Sequence, residues 1–395
     1  MSFSQALSGL RVSAESLNVV SNNIANARTV GFKSTGIRFA DVYSDSRVGM
    51  GVKVGGLVQN FGAGNQETTN RNLDLAISGN GFFRLTQNDQ TVYSRNGQFS
   101  MTKEGNLINA QGAMLTGYNR GVAAGTAPEA IRIPADGIQA QATTNVAASF
   151  NLDARTEVLG ATPAFNPDDP DSYSYVSNVS VYDSLGTRHD VRIFFFKVGE
   201  NDWEVGILSD NMAPADIDRR AISFGADGTI ANLGNMNFEF DPGTGAVNPL
   251  QFSINPEGTT QFANNFEVTS MVQDGYTSGS LLRLNVNEQG QIVGTYTNDQ
   301  QQVLGTLALA SFQNNEGLRA IGNNVWLETA DSGSPIIGVP GEAQFGQIAS
   351  GVVEASNVDL NQELVDLIIA QRNYQANAQS IRTQDEVLQT TVNLR

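Results

Sequence analysis

Apolar residues recur with a helical period at the two ends of this chain and alternate with polar ones in between. From Ser356 to Arg395, Leu360, Leu367, Tyr374, Ile381 and Leu388 stand seven apart, and Leu364, Gln371, Ala378, Asp385 and Val392 follow them by four. That is the spacing of a heptad seam on one helical face, interrupted at Gln371 and Asp385. Ser356 followed by Asp359 reads as a capping-box start, because a side-chain oxygen there can accept from orphan backbone N–H groups. About 36 residues at 1.5 Å rise predict a rod roughly 54 Å long.

The N-terminus carries a matching half. Phe3, Leu10, Leu17 and Ile24 are seven apart, with Ala6, Ser13, Val20 and Ala27 three positions after each. Between Met1 and Ala27 the only charged side chains are Arg11 and Glu15. A solvated helix normally shows a charged outer face, so this uncharged one is read as meeting other protein, a weak helix being the alternative. Gly31 can supply a positive-φ end to the helix, and Val30 weakens its continuation.

From Ser44 to Asn72 apolar residues interleave with glycine, most densely around Gly49, Gly51, Gly55 and Gly56. The pattern predicts an extended, adaptable connector, either a linker or a segment that folds against its neighbours. Strand signals follow: Leu73 to Ile77, Phe82 to Leu85, and Thr91 to Arg95, with Asn96-Gly97 leading into Gln98 to Met101 as an expected hairpin turn. Strands persist from Thr143 to Val272 with a changed composition, including Val191 to Val198 and Trp203 to Leu208 across a polar turn, which reads as a second β domain inserted in the first. Shorter strands resume at Leu281 to Val286, Ile292 to Tyr296 and Val303 to Phe312.

Composition narrows the function classes. The 395 residues are long enough for two or three cores, and a 40% hydrophobic content rules out wholesale disorder. Only 16% are charged and 40 are glycine, which favours many turns and a neutral polar surface. A net charge of -17 without a basic patch argues against nucleic acid, whose phosphates need clustered Lys and Arg. There is no cysteine, and the single histidine, His189, leaves little for zinc. No secretory signal peptide is expected in residues 1 to 30, and no apolar run is long enough to predict membrane insertion.

Catalytic patterns fail through missing parts. His189 has no nucleophile motif beside it. Asp168, Asp169 and Asp171 sit among prolines without the glycine and terminal glutamate of a calcium loop. Paired carboxylates of a glycosidase would meet only in space and have no positive support. The expectation is no enzyme, no cofactor and no metal.

Four passages carry a family resemblance. Ser21-Asn22-Asn23-Ile24-Ala25-Asn26 with Thr29-Val30-Gly31-Phe32-Lys33 resembles the N-terminal signature of the bacterial flagellar rod and hook axial proteins. Ser78 to Phe83 and Tyr93 to Phe99 look like that family's first β segment, and Glu354 to Leu360, continuing through Ala370 to Ala378, looks like its C-terminal helix. Chain length and the inserted β region point within the family to hook subunits, other axial subunits such as distal rod or hook-filament junction proteins being the alternative. The resemblance implies a homopolymer forming a curved hollow tube, with rod, hook cap and hook-filament junction proteins as partners. It also implies an extracellular place in the flagellum, reached through the flagellar type III export apparatus.

The expected fold is mainly β and multidomain, with N- and C-terminal α-helices forming a coiled-coil-like domain and nested, discontinuous domains. Its parts are a terminal helical assembly domain (1–43 and 354–395), a Gly-rich connector (44–72), an inner β domain (73–142 and 273–353) and an inserted outer β domain (143–272). The expected assembly seam packs Phe3, Leu10, Leu17 and Ile24 on Leu360, Leu364, Leu367, Tyr374, Ile381 and Leu388, within one subunit or between neighbours.

Overall fold

The computed structural model describes residues 3–42, 50–134, 136–160, 165–232 and 234–393. Helices α1 (Phe3–Ala25) and α2 (Leu360–Asn393) occupy the two ends, and the rest is strand and turn. The cap of α2 is Asp359, whose Oδ1 accepts from the N–H groups of Asn361 and Gln362 at 2.9 and 3.3 Å. Ser356, expected to start a capping box, instead accepts from Val358 N–H. A carboxylate one residue before the first helical turn reaches those orphan donors, and Ser356 lies too far upstream.

Two regions are decided only by the fold. Of the two readings of the Gly-rich stretch, a linker or a segment folded against its neighbours, residues Gly51–Gln59 take the second: they form β2, which pairs antiparallel with β1 (Thr35–Val42), from Thr35 opposite Gln59 to Val42 opposite Gly51. Glycine dilutes the alternation there without removing the backbone groups that make the ladder. The chain then gives β3 (Gln66–Thr68), β4 (Leu75–Ser78), β5 (Phe82–Gln87) and β6 (Gln90–Ser94). The turn between β5 and β6 is Asn88-Asp89, at φ 49° and 61°.

Asn96-Gly97, expected at a hairpin tip, does another job. Gly97 accepts through its carbonyl from Leu75 N–H, and a Cβ at Gly97 would stand 1.7 Å from the Leu75 carbonyl oxygen. Close backbone approach, rather than positive φ, requires this glycine.

The segment before α2 runs back against the early strands. Residues 347–350 pair with β4, and residues 352–354 pair with β3. A thirteen-stranded sheet runs along its spine through 281–286, 291–296, 301–307, 114–119, β5, β6, 325–327 and 319–322. Phe82, Tyr93, Phe312 and Trp326 are buried together with edge-to-face rings, and Trp326 donates its indole N–H to Gln59 at 2.6 Å.

By contact, the chain divides into two compact units. One comprises Met1–Ala135, Arg283–Thr295 and Gln301–Arg395; the other comprises Asp136–Leu282 and Tyr296–Gln300. The terminal helices, the hairpin and most of the first β region therefore share a unit. The second unit holds two four-stranded sheets. One orders 236–240, 250–255, 145–151 and 267–273; the other orders 175–182, 188–197, 202–209 and 219–223. Alternating Val179/Val181, Val191/Ile193/Phe195 and Val205/Ile207 from one sheet meet Val146, Phe150, Phe238, Phe252 and Ile254 from the other around the fully buried Trp203.

Candidate assembly site

The two helices pack on each other within one chain, through small and polar side chains. On α1 the buried positions are Ala6, Ser13, Val19, Val20 and Asn23. Three of them, Ala6, Ser13 and Val20, keep the heptad spacing. A Cβ at Gly9 would stand 2.9 Å from the Asn377 side-chain amide, and among the described side chains of α2 Ala370 is the buried one. At Gly9 the helices come close enough that a side chain on α1 would meet Asn377 of α2.

The large seam residues lie elsewhere. Phe3, Leu360, Leu364, Tyr374 and Leu388 are exposed, between 37% and 53% of each surface remaining open, while Leu10, Leu17, Ile24, Leu367 and Ile381 are half-buried. On α1 the row of small residues is the buried one and the row of large ones is half-buried or exposed; on α2 neither row is buried among the described residues. Val365, Ile368, Ile369 and Val387 are also exposed on α2, and sequence reasoning missed them. They fall between the two heptad rows, so a search restricted to period seven passes over them.

The connector glycines separate by environment. A Cβ at Gly51, which has φ +129°, would collide with Ser8 of α1; Gly55 faces Ala40 of β1 at contact distance; Gly56 has nothing within 4 Å. Gly49 lies outside the described residues.

Below the helices, every passage of the family signature reaches one junction. Asn23 imitates a backbone partner: its side chain donates to Thr35 C=O at 2.9 Å, accepts from Thr35 N–H at 3.0 Å, and also donates to Glu363 of α2 at 2.8 Å. Burial raises the Glu363 carboxyl above its ordinary value, the Asn23 amide pulls it back, and the neighbouring Asp366 pushes it up. Gly31, at φ +71°, donates its N–H to the Glu354 carbonyl, and a Cβ there would press into the Arg95-Asn96 backbone.

Glu354 is the centre of this junction. Its Oε1 accepts from Lys33 Nζ at 2.6 Å and from Gly64 N–H at 2.9 Å; its Oε2 accepts from Arg95 Nη1 at 3.2 Å. Burial lowers the pKa of both cations, Glu354 raises them again, and Arg95 adds a further lowering of Lys33. Asn357 accepts from Ser34 N–H and donates to the carbonyls of Asn60 and Gly62. Lys33, Arg95 and Glu354 stood inside the quoted motifs, and their signal was a charge set among residues otherwise suited to a core.

Other candidates have structural partners. Burial alone would push Asp183 up, but Thr244, His189 and the N–H groups of Thr187 and Leu185 outweigh it and hold the carboxyl at about 2. His189 thereby anchors a turn. Asp169 caps a short helix at Pro170–Ser172 by accepting from Asp171 N–H. Among the described residues, no group of three or more His, Cys, Asp or Glu is placed to hold a metal, and no helix is long and apolar enough to cross a membrane.

Comparison with known proteins covers nearly the whole chain. Family models match at residues 5–33 (flagella basal body rod protein), 76–154 (flagellar hook protein FlgE/F/G D1 domain), 151–276 (flagellar basal body protein FlaE D2 domain) and 349–394 (flagellar basal body rod FlgEFG protein C-terminal). The chain is 44% identical to the flagellar hook protein FlgE of Escherichia coli K12 over the full length of both, and 44% identical to that of Salmonella typhimurium LT2, again over both full lengths. It is 31% identical to the hook protein of Borreliella burgdorferi over 98% of each chain. The crystal structure of Helicobacter pylori flagellar hook protein FlgE2 shares the fold, with a TM-score of 0.57 and 15% identity, covering 73% of this chain and all of that one.

Proposed function

Because this chain belongs to the flagellar hook protein family and is a structural subunit of the bacterial flagellar hook, we propose that its terminal helices are completed by neighbouring copies in a curved hollow tube. The observation that carries this reading is the open apolar face of α2. Leu360, Leu364, Val365, Ile368, Ile369 and Leu388 are each left about half open. Covering the remaining half of each such side chain contributes roughly 0.8–1.5 kcal/mol, a gain that a neighbouring copy would supply.

The tube acts as a flexible joint that passes torque from rod to filament, without catalysis. Its flexibility draws on weakly charged, polar β surfaces, where no desolvated ion pair fixes one register between neighbours. Rod, hook cap and hook-filament junction proteins meet its two ends, and the subunit reaches its extracellular position through the flagellar export apparatus. Full-length agreement with hook proteins favours this over a distal rod or junction subunit.

Polymerisation of the purified chain tests the proposal. By electron microscopy the full-length protein should form curved tubes, a version lacking residues 1–30 should remain unassembled, and Leu364→Ser with Ile368→Ser should raise the concentration needed for assembly. Equal polymerisation by the truncated version would refute a role for the paired termini.

A further inference from the structure

One inward-facing position of the β-sandwich is held by a charge. Phe195 pairs with Val205 and Val205 with Arg220, so the three stand in one row across their sheet and share a face. Phe195 and Val205 are buried in the core, as is Ile222, the next inward residue of the strand that carries Arg220. Arg220 takes the place in that row where an apolar side chain would continue the core. Among the described residues its strand, 219–223, pairs with 202–209 alone and is therefore an edge of the sheet.

What lies opposite gives the charge a use. Strand 236–240 is an edge of the other sheet, paired with 250–255. Arg220 Nε donates to the Asn237 carbonyl at 3.2 Å, and the guanidinium carbon lies 5.8 Å from the centre of the Phe238 ring. Nη1 donates to Asp218 at 2.6 Å, which fixes the guanidinium across the gap between the two edges. The side chain stays 42% exposed, so its stem passes the end of the core while its head remains in water. The opposite side of the sandwich is closed differently: Thr143 N–H donates to the Tyr182 carbonyl, and the Tyr175 ring stacks on Phe266 at 4.5 Å.

An edge strand offers its outward N–H and C=O groups to any strand that comes alongside, and every further copy of the chain brings one. A strand laid against 236–240 would have to displace Arg220 from the Asn237 carbonyl and take its charged head out of water. An apolar residue at 220 would serve the core better and leave that carbonyl open. We propose that Arg220 is an edge guard: it keeps the side of the sandwich formed by 219–223 and 236–240 from adding a strand of a second copy. Copies then meet on this side through side chains and not through a continuous backbone ladder. The guard lies wholly within the sandwich and draws nothing from the terminal helices.

The test uses the full-length chain, dilute enough that micrographs show no tubes, with Arg220→Ile and Arg220→Lys. Sedimentation and thioflavin T binding follow association, hydrogen exchange over residues 236–240 locates the contact, and denaturant unfolding reports stability. Arg220→Ile should resist unfolding at least as well as the unaltered chain, because it fills the inward row. It should nevertheless associate at a concentration about tenfold lower, gaining protection over 236–240 as it does so. Arg220→Lys should stay as dispersed as the unaltered chain, since a charge remains at the edge. An Arg220→Ile chain that stays dispersed would overturn the guard. Association that leaves exchange over 236–240 unchanged, or that comes with a lowered unfolding midpoint, would overturn it too, as would a lysine variant that associates as readily as the isoleucine one.

Discussion

The β-sandwich of residues 136–282 and the terminal helix pair spend their apolar residues in opposite ways. In the sandwich, Phe195, Trp203, Ile207 and Phe252 are all at least 97% buried, and both sheets close on them. In the helix pair the buried positions include the small Ala6, Ser13 and Ala370, while Leu360, Leu364, Val365, Ile368, Ile369 and Leu388 stay about half exposed. The sandwich meets its own burial requirement. The helices bury little per ordered residue, while each backbone position fixed costs about 1–2 kcal/mol of conformational entropy. The contrast accords with the proposed tasks: a self-contained body in the sandwich, and in the helices a surface that further copies would cover.

The largest effect that would sharpen this contrast is in the sandwich. Phe195→Ala should destabilise the chain by about 3–5 kcal/mol, the range for deleting a buried aromatic ring, measured by denaturant unfolding. A loss under about 1 kcal/mol would mean that the sandwich core is not the self-sufficient body described.

A second, smaller effect depends on pH. Asp183 is held at about 2 against an ordinary 3.8, so its contribution is fully present above about pH 3.8 and is lost as pH falls through about 2. The difference corresponds to about 2 kcal/mol. Asp183→Asn should remove that part of the acid dependence of unfolding, and an unchanged slope between pH 4 and 2 would contradict the assignment.

The smallest effect belongs to the helices. Ile368→Ser should change the stability of the dissolved single chain by less than about 0.5 kcal/mol, since the side chain is already half open to water. A loss several times larger in calorimetry of dilute protein would show that the outward face of α2 is already covered within one chain, and the contrast would fail.

The periodic ends, the alternating middle and the family signature were legible because each is a local or pairwise pattern that period and motif reveal. Terminal helices and a strand-rich interior followed from them, as did Val191 to Val198 against Trp203 to Leu208, and the chain's kinship with hook proteins. Three matters waited for the tertiary structure. Residues Gly51–Gln59 of the Gly-rich stretch became a strand because β1, just before it in the chain, offered its backbone a ladder, and intrinsic propensity does not register a partner. Two heptad rows of different size on α1 could each have been the buried one, and only the folded chain shows Ala6, Ser13 and Val20 buried, Phe3 exposed, and Leu10 and Leu17 half-buried. Lys33, Arg95 and Glu354 could be read as separate charges in separate motifs; their meaning as one buried cluster exists only where the folded backbone excludes water around all three.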